Sequence, residues 1–405
     1  MNSRHPIALA FVLGAAAWPA SASAQVWVLP PGDGFESYEQ PALAFSSAED
    51  QFLVPIAGDK LILRWFDPDQ PADGSPSWYP EGFDEHNWNA VPPETGTRGW
   101  PAIAYDSSSN LALLVYERTS QGKREIRGAF CDGGGRCTSS PFAISAGGDD
   151  RQPRVAFSAA TQRYLVVWQR TITDMGALWP VDEVVGRFVS ASGALIGREL
   201  VLNTGYQART PAVAYSPDDQ YFLVVWEDQA TLVPYAPDIA GCWVRADGTF
   251  KGSPFAIADN TGEQLLPRVA YDPDHGQYLI VWEDRRWGID IFARRMDYSG
   301  AFLGSSFPVA WVGSKARTAP DVSYEPGTHT FQVAYELASS PSNRDIRSRT
   351  VDWSGQLGRV VDHHSSAGFD ECGPAIASRP YQSLVVWQSC DYIGVPMNTV
   401  FGRLF

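Results

Sequence analysis

Pro267-Arg-Val-Ala-Tyr271, then Asp-Pro-Asp-His-Gly-Gln, then Tyr278-Leu-Ile-Val-Trp282-Glu-Asp284 and Asp290-Ile-Phe-Ala-Arg294, is one instance of a pattern that recurs along the chain. The same frame reads Pro211-Ala-Val-Ala-Tyr215 with Tyr221-Phe-Leu-Val-Val-Trp226-Glu-Asp228 and Asp238-Ile-Ala-Gly-Cys242. One unit earlier it reads Pro153-Arg-Val-Ala-Phe157 with Tyr164-Leu-Val-Val-Trp168-Gln169. Weaker copies begin at Pro41, Pro101, Pro320 and Pro374, so successive starts lie 52 to 60 residues apart, the spacing of solenoids, propellers and arrays. Each unit carries four short apolar runs, the fourth of the type Pro254-Phe-Ala-Ile257, separated by Gly, Asp and Ser turns. Runs rich in β-branched and aromatic residues with such punctuation predict antiparallel four-stranded sheets. The expected fold is therefore an all-β, seven-bladed β-propeller of four-stranded antiparallel blades.

The final unit supplies Pro374-Ala-Ile-Ala, Leu384-Val-Val-Trp387 and Val400-Phe-Gly-Arg403, and the sequence stops at Phe405 without a fourth run. Gln25-Val-Trp-Val-Leu29, ahead of Gln40-Pro41, is similar to the fourth run of other units, such as Pro141-Phe-Ala-Ile144 ahead of Gln152-Pro153. The expectation is that residues near 25 to 31 close the ring as the outer strand of the last blade.

Residues 1–24 combine Arg4, an apolar run from Ile7 to Trp18 and the small-residue site Ala22-Ser-Ala24, the pattern of a secretory signal peptide cleaved near Ala24. A secreted or periplasmic single domain over residues 25–405 is expected, with no membrane span, since no later stretch has roughly twenty uninterrupted apolar residues. The formal charge of −15 argues against a nucleic-acid partner, which calls for clustered Lys and Arg. A monomer is expected. Of the five cysteines, Cys131 and Cys137 bracket a short hairpin, while Cys372 and Cys390 flank connections that would emerge on one face. Two disulfides are expected from these pairs. Cys242 stands where other units carry Arg64, Arg187, Arg294, Arg349 or Arg403, and reads as a buried free thiol.

The first unit carries a long insertion, 66–98, rich in Pro, Gly, Asp and Trp, whose aromatics argue for order and whose length suits either a covering or a binding role. In the other units, length varies mainly between second and third runs, for example Arg170 to Asp182 and Gln229 to Pro237. These connections and the links between units should build one loop-rich face, where function is sought.

Repetition separates scaffold from function: a residue type recurring at one frame position is scaffold, and a singular one is a candidate. The pairs Tyr116-Glu117, Trp168-Gln169, Trp226-Glu227, Trp282-Glu283, Tyr335-Glu336 and Trp387-Gln388 recur, as does the third-run Arg. The aromatic should fill the wedge between blades and the polar residue should satisfy loop amides. Singular residues are Trp179, Tyr235, Asp284, Arg286 and Trp287 in the connections, with Asp228 and Glu283 beside them, and Arg154, Arg268 and Asp321 at the starts of innermost strands. Arg and carboxylates beside aromatic rings suit a sugar-binding surface. Asp362-His363-His364 reads as a solvated outer strand, because adjacent strand residues face opposite ways and do not readily share a metal ion. No metal or cofactor is expected, a structural calcium ion being left open, and no Gly-x-Ser-x-Gly, His-Glu-x-x-His or phosphate loop occurs.

The Tyr-Leu-Val-Val-Trp-Glu-Asp and Asp-Ile-x-Gly-Arg repeat resembles that of secreted bacterial β-propeller repeat proteins, over nearly the whole sequence after residue 24. The resemblance implies architecture and carries no activity. The Ser-x-Asp-x-Gly-x-x-Trp boxes of sialidases and the Asp-x-Asp-x-Asp-Gly loops of integrin-type propellers are absent. Two functions follow as expectations. One is a binding protein for extracellular carbohydrate or another polymer, a protein ligand included, on the loop-rich face. The other is a polysaccharide hydrolase or lyase with a carboxylate/Arg site at the channel mouth.

Overall fold

The computed structural model of the chain describes residues 26–28, 41–56, 61–66, 91–92, 94–173, 180–203, 207–229, 236–311, 313, 315–340, 343–364, 370–390 and 400–405, with backbone only at 26–28, 62, 64–66 and 364. Among these residues the chain is all strand and turn, without a helix, and no helix is long and apolar enough to cross a membrane.

After β1 (Val26–Val28) the strands follow as antiparallel meanders. The first holds β2 (Ala44–Ser46), β3 (Gln51–Ile56) and β4 (Ile62–Phe66). The second holds β5 (Thr97–Asp106), β6 (Leu111–Ser120), β7 (Lys123–Asp132) and β8 (Phe142–Ala143). The third comprises β9 (Asp149–Ser158), β10 (Arg163–Ile172), β11 (Val181–Ser190) and β12 (Leu195–Val201). The fourth comprises β13 (Gln207–Ser216), β14 (Tyr221–Gln229), β15 (Asp238–Arg245) and β16 (Phe255–Ala258). Next come β17 (Gln264–Asp272), β18 (Gln277–Asp284), β19 (Asp290–Asp297) and β20 (Phe307–Ala310), then β21 (Ala316–Glu325), β22 (Thr330–Ser340), β23 (Asn343–Asp352) and β24 (Leu357–His364). The last meander, β25 (Glu371–Arg379), β26 (Gln382–Ser389) and β27 (Val400–Leu404), takes β1 as its outer strand, with Val26 opposite Arg403 and Val28 opposite Phe401. Single parallel bridges, Arg124 to Asp149 and Asp182 to Gln207, join the second, third and fourth meanders into one twelve-stranded sheet.

The apolar core lies between meanders. Leu165 and Val167 of β10 meet Phe222 and Trp226 of β14, and Leu223 and Val225 in turn meet Tyr278 and Trp282 of β18. Phe52 and Val54 of β3 pack on Leu384 and Val386 of β26, so the first and last meanders share a core. Second strands are covered on both faces and read as unbroken apolar runs for that reason. The aromatic ending each one, such as Trp168, Trp226, Trp282 or Trp387, is fully buried against the preceding meander.

The recurring polar residue beside that aromatic has an equally regular task. Each of β5, β9, β13, β17, β21 and β25 carries a β-bulge at its proline, where pairing with the next strand slips. The residue before the proline, Trp100, Gln152, Thr210, Leu266, Ala319 or Gly373, sits at φ between +48° and +63°. That conformation is costly for a β-branched or bulky side chain and for any residue preceding proline. A carboxylate from the preceding meander takes the amide that the bulge frees: Leu266 N–H donates to Glu227 at 2.7 Å and Gly373 N–H to Glu336 at 2.8 Å. Glu117 and Glu283 do the same for Gln152 and Ala319. The recurring Arg also ties neighbours together. Arg187 donates to Ile144 O at 2.9 Å, Arg294 to Ile257 O at 2.6 Å and Arg349 to Val309 O at 2.9 Å, each in the preceding meander. Cys242 replaces this Arg with a buried thiol whose pKa burial pushes up to about 12.

Both expected disulfides are present, Cys131–Cys137 and Cys372–Cys390; Cys372 lies inside β25, which begins at Glu371. One reading is corrected. Asp362 is exposed as expected, but His363 points inward and is buried, with Nε2 at 2.8 Å from Ser348 Oγ and its ring against Phe405. Strand alternation places successive side chains on opposite faces, so one of the pair had to face the core. Burial drives the His363 pKa down to about 3. The 1–24 segment and most of the 66–98 insertion lie outside the described residues. The insertion's end is anchored: Glu94 pairs with Arg127 and lies 3.6 Å from Arg118 in the second meander.

Candidate functional site

In every repeat the residue after the proline, Ala42, Ala102, Arg154, Ala212, Arg268, Asp321 or Ala375, lines one cavity of about 200 Å³, and all but Ala42 stand just past a bulge. Bulges re-aim side chains in this way at one level of neighbouring strands. Four repeats place alanine there and three place a charge. The sequence put Arg154, Arg268 and Asp321 at strand starts; they lie inside β9, β17 and β21, because the strands run through the bulge.

Arg268 Nε is 3.9 Å from Asp321 Oδ1, an ion pair too long for a hydrogen bond. Asp321 Oδ2 accepts the Ile376 N–H at 2.9 Å. Arg154 donates to Pro153 O at 3.0 Å and Arg268 to Pro267 O at 2.9 Å. Burial, reinforced by Arg268, pulls the Arg154 pKa down to about 9; burial likewise lowers Arg268 and raises Asp321. The remaining lining is Pro, Ala, Val, Leu and Ile, so these three groups are its whole charge among the described residues.

The loop-face candidates divide. Trp179 and Tyr235 lie outside the described residues. Trp287 is 84% exposed, with the Arg286 guanidinium 5.1 Å from its ring centre. Arg286 is held in place: its Nε donates to Asp284 at 2.8 Å and its cation lies 4.4 Å over Phe292. Asp284, 2% exposed, also accepts from Trp282 Nε1 at 3.1 Å and from Arg286 N. Glu283, 1% exposed, is engaged by Arg285 and by the bulge amide of Ala319, and its pKa is raised by burial. Asp228 accepts from Trp226 Nε1 at 3.0 Å, as Asp284 does one repeat later. Asp228, Glu283 and Asp284 are thus engaged in internal contacts, and none of the described loop candidates lines the cavity.

Asp228 also stands directly opposite Asp238. Burial, then repulsion from Asp259 and Asp228, pushes the Asp238 carboxyl up to about 6. A carboxyl raised in the folded state favours folding below its unfolded pKa and loses that advantage as pH rises through the folded one. Asp238→Asn should therefore melt above the parent near pH 7.5 and with it near pH 4, by calorimetry at the two pH values; the reverse order would refute the burial argument.

A second concave patch lies at the hairpin end of the fifth and sixth meanders, lined by Asp274, His275, His329 and Trp353. His275 Nδ1 is 2.8 Å from Asp272 and His329 Nδ1 2.8 Å from Asp274, and the His275 ring stacks on Trp353 at 5.0 Å. These residues come from separate hairpins, and contact between those hairpins brings them together. Among the described residues no group of three or more His, Cys, Asp or Glu is placed to hold a metal ion.

No protein-family model and no curated protein matches the chain. Among solved structures, a protein of unknown function from Dyadobacter fermentans aligns at 13% identity over 75% of this chain and 93% of its own, with a TM-score of 0.54. An acylaminoacyl peptidase bound to a chloromethyl ketone aligns at 9% identity over 90% of this chain and 51% of that one, with a TM-score of 0.50. An α-L-arabinofuranosidase from Lactobacillus brevis aligns at 10% identity over 66% and 96%, with a TM-score of 0.43. At such identities the first two are likenesses of fold alone.

Proposed function

We propose that the chain is a secreted or periplasmic seven-bladed β-propeller that binds extracellular carbohydrate on its loop-rich face, over the mouth of the central channel. The ring is closed by the N-terminal strand, and the repeat places it with the secreted bacterial propeller repeat proteins. The shared core of the first and last meanders and the pairing of β1 with β27 support closure. The observation that carries the functional reading is the ring of post-proline residues, where Arg154, Arg268 and Asp321 interrupt alanines in one cavity. Polar groups converging in an otherwise apolar concavity are the ordinary form of a ligand site. Trp287, exposed and flanked by a fixed guanidinium, offers a face on which a sugar ring can stack.

Binding is favoured over catalysis because glycoside hydrolysis uses two carboxyl groups across one bond. Among the described residues, Asp321 is the single acid lining the cavity. The test is a polysaccharide panel scored for retention and for product. Retention without new reducing ends or unsaturated uronate absorbance supports binding; product release overturns it. In the same assay Trp287→Ala should weaken binding by about 1–3 kcal/mol, as for a stacking anchor, with melting unchanged. Parent-like affinity would remove Trp287 from the site.

A further inference from the structure

We infer that the channel ring is a carboxylate receptor, so that the carbohydrate bound on this face is an acidic one that inserts a uronate carboxylate between Arg154 and Arg268. The inference rests on the carbohydrate reading above and adds the chemical class of the ligand.

Charge balance is the first argument. Two guanidinium groups and one carboxylate face the cavity, leaving one positive charge inside a chain whose net charge is −15. Among the described residues, no ion pair within 4.0 Å engages Arg154, and Arg268 has only the long contact to Asp321. A charge withdrawn from bulk water without a close counterion is costly, and an anion that fits beside it offsets that cost.

Hydrogen-bond capacity is the second. A guanidinium has five N–H donors in a planar fork. Arg154 and Arg268 each give one nitrogen to the carbonyl of the proline just before them, which fixes the side chain against its own strand. Among the described residues the rest of each fork has no hydrogen-bond acceptor, which leaves it for a planar two-oxygen group such as a carboxylate, held bidentately.

The third concerns which anion. Asp321 shares the ring with the two Arg groups, so a monoanion leaves the ring neutral, whereas a dianion such as phosphate leaves it net negative. One Asp321 oxygen holds the Ile376 amide and the other can accept a sugar hydroxyl. The alanines Ala42, Ala102, Ala212 and Ala375 leave about 200 Å³, small by the standard of whole-ligand pockets. One sugar residue of a polymer therefore enters while its neighbours lie on the face outside.

The experiment is calorimetric titration of the full mature protein with oligogalacturonate, with neutral xylo-oligosaccharide of equal length, and with oligoaspartate. Oligogalacturonate should bind at least about tenfold more tightly than either of the others. Arg154→Ala and Arg268→Ala should each lose about tenfold or more, and Asp321→Asn should tighten binding. Alanine already fills this position in four repeats, so the Arg variants keep the ring. Monomeric glucuronate should raise the melting temperature of the parent and leave that of Arg154→Ala unmoved. Equal binding of the neutral oligomer, or full affinity in both Arg variants, overturns the carboxylate inference and leaves the carbohydrate reading intact. Oligoaspartate binding alone overturns both, as does silence from every sugar.

Discussion

Asp284→Ala is expected to destabilise the protein by about 3–5 kcal/mol, the cost of removing one member of a buried ion pair. Its carboxylate accepts from Trp282 Nε1, from the Arg286 amide and from Arg286 Nε, with 2% of its surface exposed. Alanine leaves an indole N–H and a guanidinium without acceptors in a dry environment, where each unmet donor costs about 1–3 kcal/mol. Asp284→Asn keeps a neutral acceptor for Trp282 and should lose less. Denaturant unfolding, with the slope checked for constancy, measures both. If Asp284→Ala unfolds at the parent midpoint, the carboxylate is not holding the loop. It would then regain its standing as a ligand-contacting group, which the sequence pattern alone suggests.

Deleting residues 25–31 should have the next largest effect. β1 supplies the outer strand of the last meander, pairing Val26, Trp27 and Val28 with Arg403, Gly402 and Phe401. Its loss removes backbone hydrogen bonds worth about 1 kcal/mol each and turns β27 into an open edge. That edge borders the core shared by the first and last meanders, through Val400. Melting should fall by several degrees, and light scattering should show association through the new edge. A truncated protein that melts like the parent and stays monodisperse would show that closure does not depend on this strand.

Much of the fold is legible in the residues because its determinants are local and repeated. The Leu/Val/Trp runs mark second strands and the recurring prolines mark the start of each repeat. The six-residue spacing of Cys131 and Cys137 brings two thiols together in one hairpin. Repetition also separates Glu117, Glu227 and Glu336 from the site, but the amides they take are those of bulged strand residues in the next meander, Gln152, Leu266 and Gly373, and not of loops. The site was legible only in part. Arg154, Arg268 and Asp321 stand out as breaks in a frame, but their meeting in one cavity follows from bulges that turn three separate strands toward it. Asp228 and Asp284 looked free because a short polar connection reads as solvated. Each turns back onto a buried Trp indole, and nothing in the sequence reports that direction. His363 shows the same division. Alternation requires one side of Asp362-His363 to face inward, but which side does so depends on register against β23. Sequence determined which strands form and in what order, because strand formation depends on neighbours in the chain. Tertiary structure decided which charges are spent inside and which remain for a ligand, because that depends on which strands the bulges bring face to face.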